Sequence, residues 1–504
     1  MEEIYLDGES LTLEKIYEYA QVGHSKYLLR LKPTAIQKIQ LARDFVLDCV
    51  EKNKIIYGIT TGFGALSNTC IPKDQLVQLQ YNLIRSHCAG VGSTFSIEIT
   101  RMILLLRANC LSRGHSGVSL QLIERMIEFL NLDIMPVIPQ RGSVGASGDL
   151  SPLSHLALSL IGEGKVTYQG KIRNTQEVLT ELKMNPCTLG PKDGLGLING
   201  TSVMCALAIM AYGEGKYLLE LATLVAALSL EGLQGSKRPF NALIHELRAH
   251  PGQLKVAKRL RELLEGSEIM DGHAHCNRVQ DAYSLRCIPQ VHGASWQIWD
   301  HAKEVIQREI CSVTDNPLIF PNQTDINEQV ISGGNFHGQC LAFIMDYMAL
   351  GVSELANISE RRVEKMMNPS FSSLPAFLAK NPGPQSGYMI AHVTAAALVS
   401  ENKIHSHPAS VDSIPTSTDK EDHVSMGVHS GRKLLKIMKN VKWSLSIEML
   451  CAASAIDFLR PKKTSKELEK LYSTIRQVVP PLEEDRVLSY DIEKLTELIN
   501  KQEF

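Results

Sequence analysis

The sequence predicts an all-α protein built round a central bundle of long helices. Three features carry that expectation: extended runs of Ala, Leu, Met and Glu with apolar positions at helical spacing, scarce strand-like alternation, and several stretches apolar on more than one face, as suits helices buried in a bundle or an oligomer. In chain order, 101–110 holds a Met-Ile-Leu-Leu-Leu core. The stretch 153–161 is mostly apolar and follows Pro152, a residue suited to a helix's first turn. The long helices are expected over 203–233, 340–364, 389–402 and 434–458. No fixed-period repeat and no long Pro/Gly/Ser linker divides the 504 residues, so one continuous chain is expected: about 1–200 as an N-terminal region, about 201–465 as the bundle and about 466–504 as a helical tail.

Composition narrows the functional classes. With 44% hydrophobic and 21% charged residues the chain is ordinary globular material, and a net charge of −2 gives no electrostatic ground for binding nucleic acid or an anionic membrane. Met1-Glu2-Glu3-Ile4-Tyr5 is acidic and lacks an apolar signal core. The longest apolar runs, such as 222–230, fall short of a bilayer, so no membrane partner and a cytoplasmic location are expected. Eleven cysteines are scattered singly without a C-x-x-C pair, which argues for reduced, mostly buried thiols. His273-Ala274-His275-Cys276 and His405-Ser406-His407 lack an i,i+4 histidine spacing and a carboxylate in register, so neither a metal nor a nucleotide is expected.

The segments between the helices carry the chemistry. In Gly142-Ser143-Val144-Gly145-Ala146-Ser147-Gly148-Asp149-Leu150-Ser151-Pro152, attack of the Gly148 nitrogen on the Ala146 carbonyl would close a five-membered ring. Loss of water from that ring and from Ser147 would leave an imidazolone with an exocyclic methylene, an electrophile no ordinary side chain provides. Each residue type has its reason: Gly148 reaches backbone angles closed to other residues, Ala146 keeps the ring edge small, Ser147 carries the hydroxyl to be lost, and Asp149 is placed to handle protons. A helix starting near Pro152 would set its positive end beside the ring. A phosphate loop would need a following Lys-Ser/Thr, and a hydrolase elbow would need Gly where Asp149 stands. A plain Gly-rich turn before a helix has the same composition, and this segment alone does not decide between the two.

Three more loops have specific compositions: Tyr57-Gly58-Ile59-Thr60-Thr61-Gly62-Phe63-Gly64, Gln280-Asp281-Ala282-Tyr283-Ser284-Leu285-Arg286, and Ser332-Gly333-Gly334-Asn335-Phe336-His337-Gly338. Singly, each reads as a turn or as packing. Together with Ala146-Ser147-Gly148 they closely resemble the aromatic amino acid ammonia-lyases and aminomutases. The resemblance extends from about Tyr57 to Thr464 through Leu197-Ile198-Asn199-Gly200-Thr201, Ser312-Val313-Thr314-Asp315-Asn316-Pro317, Ile358-Ser359-Glu360-Arg361-Arg362 and Ser400-Glu401-Asn402-Lys403. It implies that the ring forms as the family's prosthetic group, 4-methylidene-imidazol-5-one (MIO), from Ala146, Ser147 and Gly148, and that its methylene takes up the substrate amine or, by an alternative route, the substrate's aromatic ring.

Two positions bear on the substrate. Glu421-Asp422-His423-Val424-Ser425-Met426 and Ser86-His87 match the histidine-deaminating branch, the second less selectively because some tyrosine aminomutases share it. A carboxylate facing a phenyl ring would be desolvated without a partner, whereas facing an imidazole it gains a hydrogen bond and a charge. The resemblance therefore implies non-oxidative deamination of L-histidine to trans-urocanate and ammonia, the first step of histidine degradation. A tyrosine or phenylalanine lyase, an aminomutase, or a non-catalytic helical scaffold are the alternatives. By the same resemblance Tyr57 takes the β-proton and Arg286 grips the α-carboxylate. Asn199, Gln280 and Tyr283 hydrogen-bond the ring oxygen and substrate, Phe336 and Met389 wall the pocket, and His87 and Glu421 orient the imidazole. Gln339, Gln385 and Tyr388 depart from the commoner Glu, Asn and Phe and are expected to retune the pocket. The family implies a homotetramer with active sites shared between subunits.

Overall fold

A computed structural model describes residues 1–272 and 279–504, so the His273-Ala274-His275-Cys276 stretch lies outside the described residues. Helices dominate, in line with the all-α expectation: Ile97–Leu111, Leu150–Leu160, Ser202–Gly232, Ile288–Ile310, Gln339–Met367, Met389–His405 and Gly427–Asp457. The last begins seven residues before the expected 434, because its first turns carry His429, Ser430, Arg432 and Lys433, which an apolar run does not flag. Among the described residues, strands are confined to four small sheets of two or three strands each.

The helix Gln339–Met367 corrects one expectation. By length and composition it is apolar enough to cross a membrane, yet 67% of its most apolar window is buried inside the protein, as in a core helix. A second correction concerns His405, whose Nε2 lies 3.5 Å from Glu401, a carboxylate one helical turn earlier that the sequence reading passed over. Among the described residues, no three His, Cys, Asp or Glu side chains gather as metal ligands would.

The chain divides into two compact units. One gathers Met1–Met210, Lys303–Met345 and Pro408–Arg432; the other gathers Ala211–Ala302, Asp346–His407 and Lys433–Phe504. In the first, the helix Pro33–Glu51 opens on Pro33, whose missing N–H costs nothing in a first turn. Its Ala42, Val46 and Val50 pack with Ile59, Leu76 and Ile319 in one buried cluster. That cluster ties together the loop after Tyr57, the start of the helix Leu76–His87 and the hairpin pairing Leu318–Ile319 with Val330–Ile331. The helix Ile97–Leu111, capped by the Ser96 hydroxyl on the Ile99 N–H, is buried on nearly every face, and its Arg107 is fully buried with Nε donating to the Gly196 carbonyl at 3.0 Å.

The second unit is organised round buried polar and aromatic anchors. Arg362 and Glu448 are both fully buried and joined bidentately at 2.5 and 2.9 Å, and Ser229 donates to the same carboxylate at 2.6 Å. Trp299 is fully buried, donates from Nε1 to the Tyr212 carbonyl at 3.0 Å, and lies so close to Gly215 that a Cβ there would sit 2.1 Å from the ring. Trp299→Ala is expected to cost about 3–5 kcal/mol through lost contacts and the cavity left behind. Chemical denaturation beside Leu247→Ala, at a position 91% exposed, checks this; equal midpoints would refute it.

Candidate active site

A cavity of about 740 Å³ opens in the first unit, and Tyr57, His87, Ala146, Ser147, Asn199, Phe336 and Glu421 all line it. Seven expected site residues, from six separated stretches of sequence, thus share one space. The 145–148 turn, which brings Ala146 and Ser147 to the cavity, runs through unusual backbone angles: φ is 80° at Gly145, 51° at Ser147 and 79° at Gly148. Ser147 is in the left-handed region that a non-glycine residue enters only at a conformational cost. At Gly148 no side chain is possible, since a Cβ would lie 2.2 Å from the Gly200 carbonyl oxygen. That same carbonyl accepts the Asp149 N–H at 2.8 Å, so the turn rests directly on the residue after Asn199.

Asp149 caps the helix Leu150–Leu160 by position, but its carboxylate reaches across to the N-terminus of Ser202–Gly232 and accepts the N–H groups of Val203 and Met204, each at 2.9 Å. Complete burial pushes this carboxyl up to about 7, against the opposing pull of those two N–H groups and of the Ser143 hydroxyl.

The Ser147 hydroxyl donates to Glu421 Oε1 at 3.2 Å, while the Thr416 hydroxyl donates to Oε2 at 2.9 Å. Backbone bonds between Thr416 and Glu421 close this small turn and aim the carboxylate. His87 ends the helix Leu76–His87, half-buried, with Nδ1 3.0 Å from the Ser86 hydroxyl. Burial pulls its imidazole below the ordinary histidine range, partly offset by a backbone contact with Leu83 and by the Glu421 charge. The loop of Tyr57 is fixed by its own threonines: Thr60 accepts the Ile56 N–H at 2.9 Å and donates to the Lys54 carbonyl at 2.7 Å.

Asn199 is the residue after the short, wholly buried helix Asp193–Ile198 and is only 3% exposed. Its Nδ2 donates to the Asn316 carbonyl at 3.0 Å, and its Oδ1 has no partner. Such a buried, unsatisfied acceptor at a cavity wall is the kind of group a bound polar molecule completes. Asn316 also lines the cavity, and its own side chain accepts the Gly333 N–H at 2.7 Å. His337 and His423 line it too, their rings stacked 5.8 Å apart and inclined by 6°. Sequence reasoning assigned no role to Asn316, Thr416, His337 or His423. The one available signal was the polar run Thr314-Asp315-Asn316 set before Pro317, too polar for a core and too short for a solvated loop.

Gln280, Tyr283, Arg286 and Met389 belong to the second unit and are not among the lining residues. Gln280 is exposed, and Tyr283 is 70% exposed with the Arg286 guanidinium 4.5 Å over its ring. Arg286 Nε is buried without a partner. Met389 opens the helix Met389–His405 and is half-buried. The three departures from the family pattern lie outside the lining as well: Gln339 donates to the Ser410 carbonyl at 3.2 Å, Gln385 to the Glu483 carbonyl at 2.9 Å, and Tyr388 is fully buried with its hydroxyl 2.9 Å from Ser454.

The chain as a whole finds counterparts in known proteins. The aromatic amino acid lyase profile matches residues 11–477. The chain belongs to the aromatic amino acid lyase family. Among relatives of this lyase, histidine ammonia-lyase of Natranaerobius thermophilus is 47% identical over 98% of the chain and 96% of its own length. The crystal structure of histidine ammonia-lyase from Trypanosoma cruzi is 44% identical, with a TM-score of 0.91 over 99% of this chain and 94% of that one. Tyrosine aminomutase from Streptomyces globisporus is 37% identical, with a TM-score of 0.92 over 99% and 97% of the two chains.

The Asp149 carboxyl of this lyase gives a pH prediction. A carboxyl raised from 3.8 to about 7 by folding stabilises the fold below pH 3.8, and that contribution is lost as pH rises towards and through 7. Asp149→Asn, which carries no charge at any of these values, should flatten the fall of the thermal midpoint over that window; an unchanged slope would refute the assignment.

Proposed function

We propose that this chain removes ammonia from L-histidine without oxidation, giving trans-urocanate. The observation that carries the reading is the Glu421 carboxylate, held by Thr416 at the cavity wall where its charge acts on His87. A carboxylate and an imidazole lining one cavity suit a substrate ring that both donates and accepts hydrogen bonds; a phenyl ring would leave the carboxylate desolvated and unpaired.

The residues at 146–148 fit an MIO ring closed from their own backbone. Gly200 excludes any side chain at 148, Ser147 is already in a strained turn, and the hydroxyl that must leave is held by a carboxylate able to take part in proton transfer. When formed, MIO supplies an electrophilic carbon that makes the substrate amine a better leaving group. The chain's own residues do the rest. Asn199 offers its free amide oxygen to the reacting assembly, and Tyr57 in its threonine-pinned loop receives the β-proton. Glu421 and His87 fix the imidazole, and Phe336 shields one side.

The α-carboxylate needs a bidentate cation, and we assign that task to Arg286, with Tyr283 and Gln280, contributed by a neighbouring copy in a homotetramer. The exposure of Tyr283 supports this, as a surface that a second copy would cover, and the buried Arg286 Nε is a donor still without a partner. The cytoplasm is the compartment we assign, where surface thiols such as Cys70 and Cys340 stay reduced.

Ultraviolet detection of urocanate from L-histidine tests the reading. The unmodified protein should produce it and Ser147→Ala should not; cinnamates from tyrosine or phenylalanine, or β-amino acids, would replace histidine as substrate or deamination as outcome. A charge-assisted hydrogen bond is worth about 1.5–3 kcal/mol, so Glu421→Gln should slow histidine turnover by about ten- to a hundredfold. Equal rates would remove Glu421 from its role. Shared sites predict complementation: Tyr57→Phe and Arg286→Ala, each inactive alone, should recover activity when co-expressed. No recovery in a mixed oligomer would place both residues in a site built by one chain.

A further inference from the structure

Lys192 is a lysine without access to water. Its ammonium and the Asp315 carboxylate are both fully buried and stand 2.7 Å apart, and nothing in the reaction described above uses either. A buried ion pair is weak ground for stability, because an apolar pair of similar volume fills such a space without desolvating two charges. What this pair fixes is geometry. The second oxygen of Asp315 accepts the Asn316 N–H at 2.7 Å, and the Asn316 carbonyl in turn accepts Asn199 Nδ2 at 3.0 Å.

Asn199 follows the helix Asp193–Ile198, whose N-cap is Lys192 itself, in the left-handed region with φ of 72°. The path is therefore closed: from Lys192 across the ion pair to Asp315, along the backbone to Asn316, across to Asn199, and back through one short helix to Lys192. The Asn316 side chain extends the hold outward, accepting the Gly333 N–H at 2.7 Å and donating to the Ser332 hydroxyl at 3.1 Å. Gln80 fixes the helix itself, its Oε1 accepting the N–H groups of Gly194 and Leu195 at 2.8 and 3.3 Å. The strong, directional elements of the ring are those that carry charge, the pair itself and the Asn316 N–H on the Asp315 carboxylate, whereas the Asn199–Asn316 bond joins neutral groups.

We propose that the buried Lys192–Asp315 pair is a positioning device that sets the Asn316 peptide and thereby holds the Asn199 amide at the cavity wall. The inference rests on the reading that Asn199 meets the reacting assembly. It assigns Lys192 and Asp315 as positioning residues that touch no substrate themselves.

A double-mutant cycle tests it. Lys192→Met is made alone and with Asn199→Ala, and kcat and KM for L-histidine, the Kd of urocanate by calorimetry and the thermal midpoint are measured. If the pair acts through Asn199, Lys192→Met lowers kcat about tenfold or more alone but by less than about twofold beside Asn199→Ala, with urocanate affinity following the same pattern. Lys192→Met strands a buried carboxylate and risks misfolding, so the same cycle is run with Lys192→Met/Asp315→Asn, which keeps an acceptor for the Asn316 N–H and removes both charges. That variant should recover part of the lost kcat. Equal losses with and without Asn199, or losses that follow only the thermal midpoint, would overturn the inference. Failure of the unmodified protein to form urocanate would instead overturn the functional reading, and the cycle would then be read on whichever aromatic amino acid is turned over.

Discussion

Two glycine backbones touch next to Ser147 and Asn199, which line the cavity. Gly148 and Gly200 approach so closely that neither tolerates a side chain: a Cβ on one would enter the other's carbonyl, and a Cβ on Gly200 would lie 2.5 Å from the Arg107 guanidinium. The contact holds the strained 145–148 turn against the end of the buried helix that leads to Asn199. It also brings Asp149 to the N-terminus of Ser202–Gly232, where two backbone N–H groups meet its carboxylate. A bulkier residue at either glycine would separate the turn from Asn199 and break the link between the reacting backbone and the long helices behind it.

Around that contact the framework is polar. Arg107, Gln80, Lys192, Asp193 and Asp315 are all fully buried beside a short helix that carries no charge at its reactive end. Apolar packing fixes separation but leaves rotation loose, whereas directional bonds fix both. The desolvation of these groups is offset by specific partners: Arg107 on the Gly196 carbonyl, Asp193 on the N–H groups of Gly190 and Ser119 at 2.8 Å each, Gln80 on Gly194. A site that must hold a carboxamide to within tenths of an ångström gains from such a scaffold what a hydrophobic core alone does not provide.

The long helices were legible because their periodic apolar residues are dictated by the surface they bury, and the 145–148 turn because covalent chemistry demands small residues in that order. Asn316 was hidden for the opposite reason: its importance lies in a backbone carbonyl, which has no residue type. Lys192 was hidden because a lone lysine beside Pro191 reads as solvated surface, and only the fold shows that Asp315 meets it 123 positions later. The two-residue strands Leu318–Ile319 and Val330–Ile331 are too short for alternation to register, although their pairing is what sets Asn316 beside Ser332 and Gly333. Glu401 and His405 meet through an i,i+4 helical spacing that the sequence does contain.

The carboxylate of Glu421 links the two stages of the proposed chemistry. Before ring closure its Oε1 is occupied by the Ser147 hydroxyl and its Oε2 by Thr416. Closing the ring expels that hydroxyl, so Oε1 loses its only hydroxyl donor while Oε2 stays anchored. A carboxylate left half-satisfied at the wall of a cavity gains most from a new N–H donor, and an imidazole supplies one where a phenyl ring does not. Thr416 would keep the freed oxygen aimed in the direction the hydroxyl occupied. In the proposed reaction the carboxylate that holds the Ser147 hydroxyl would thus also be the one that selects an imidazole.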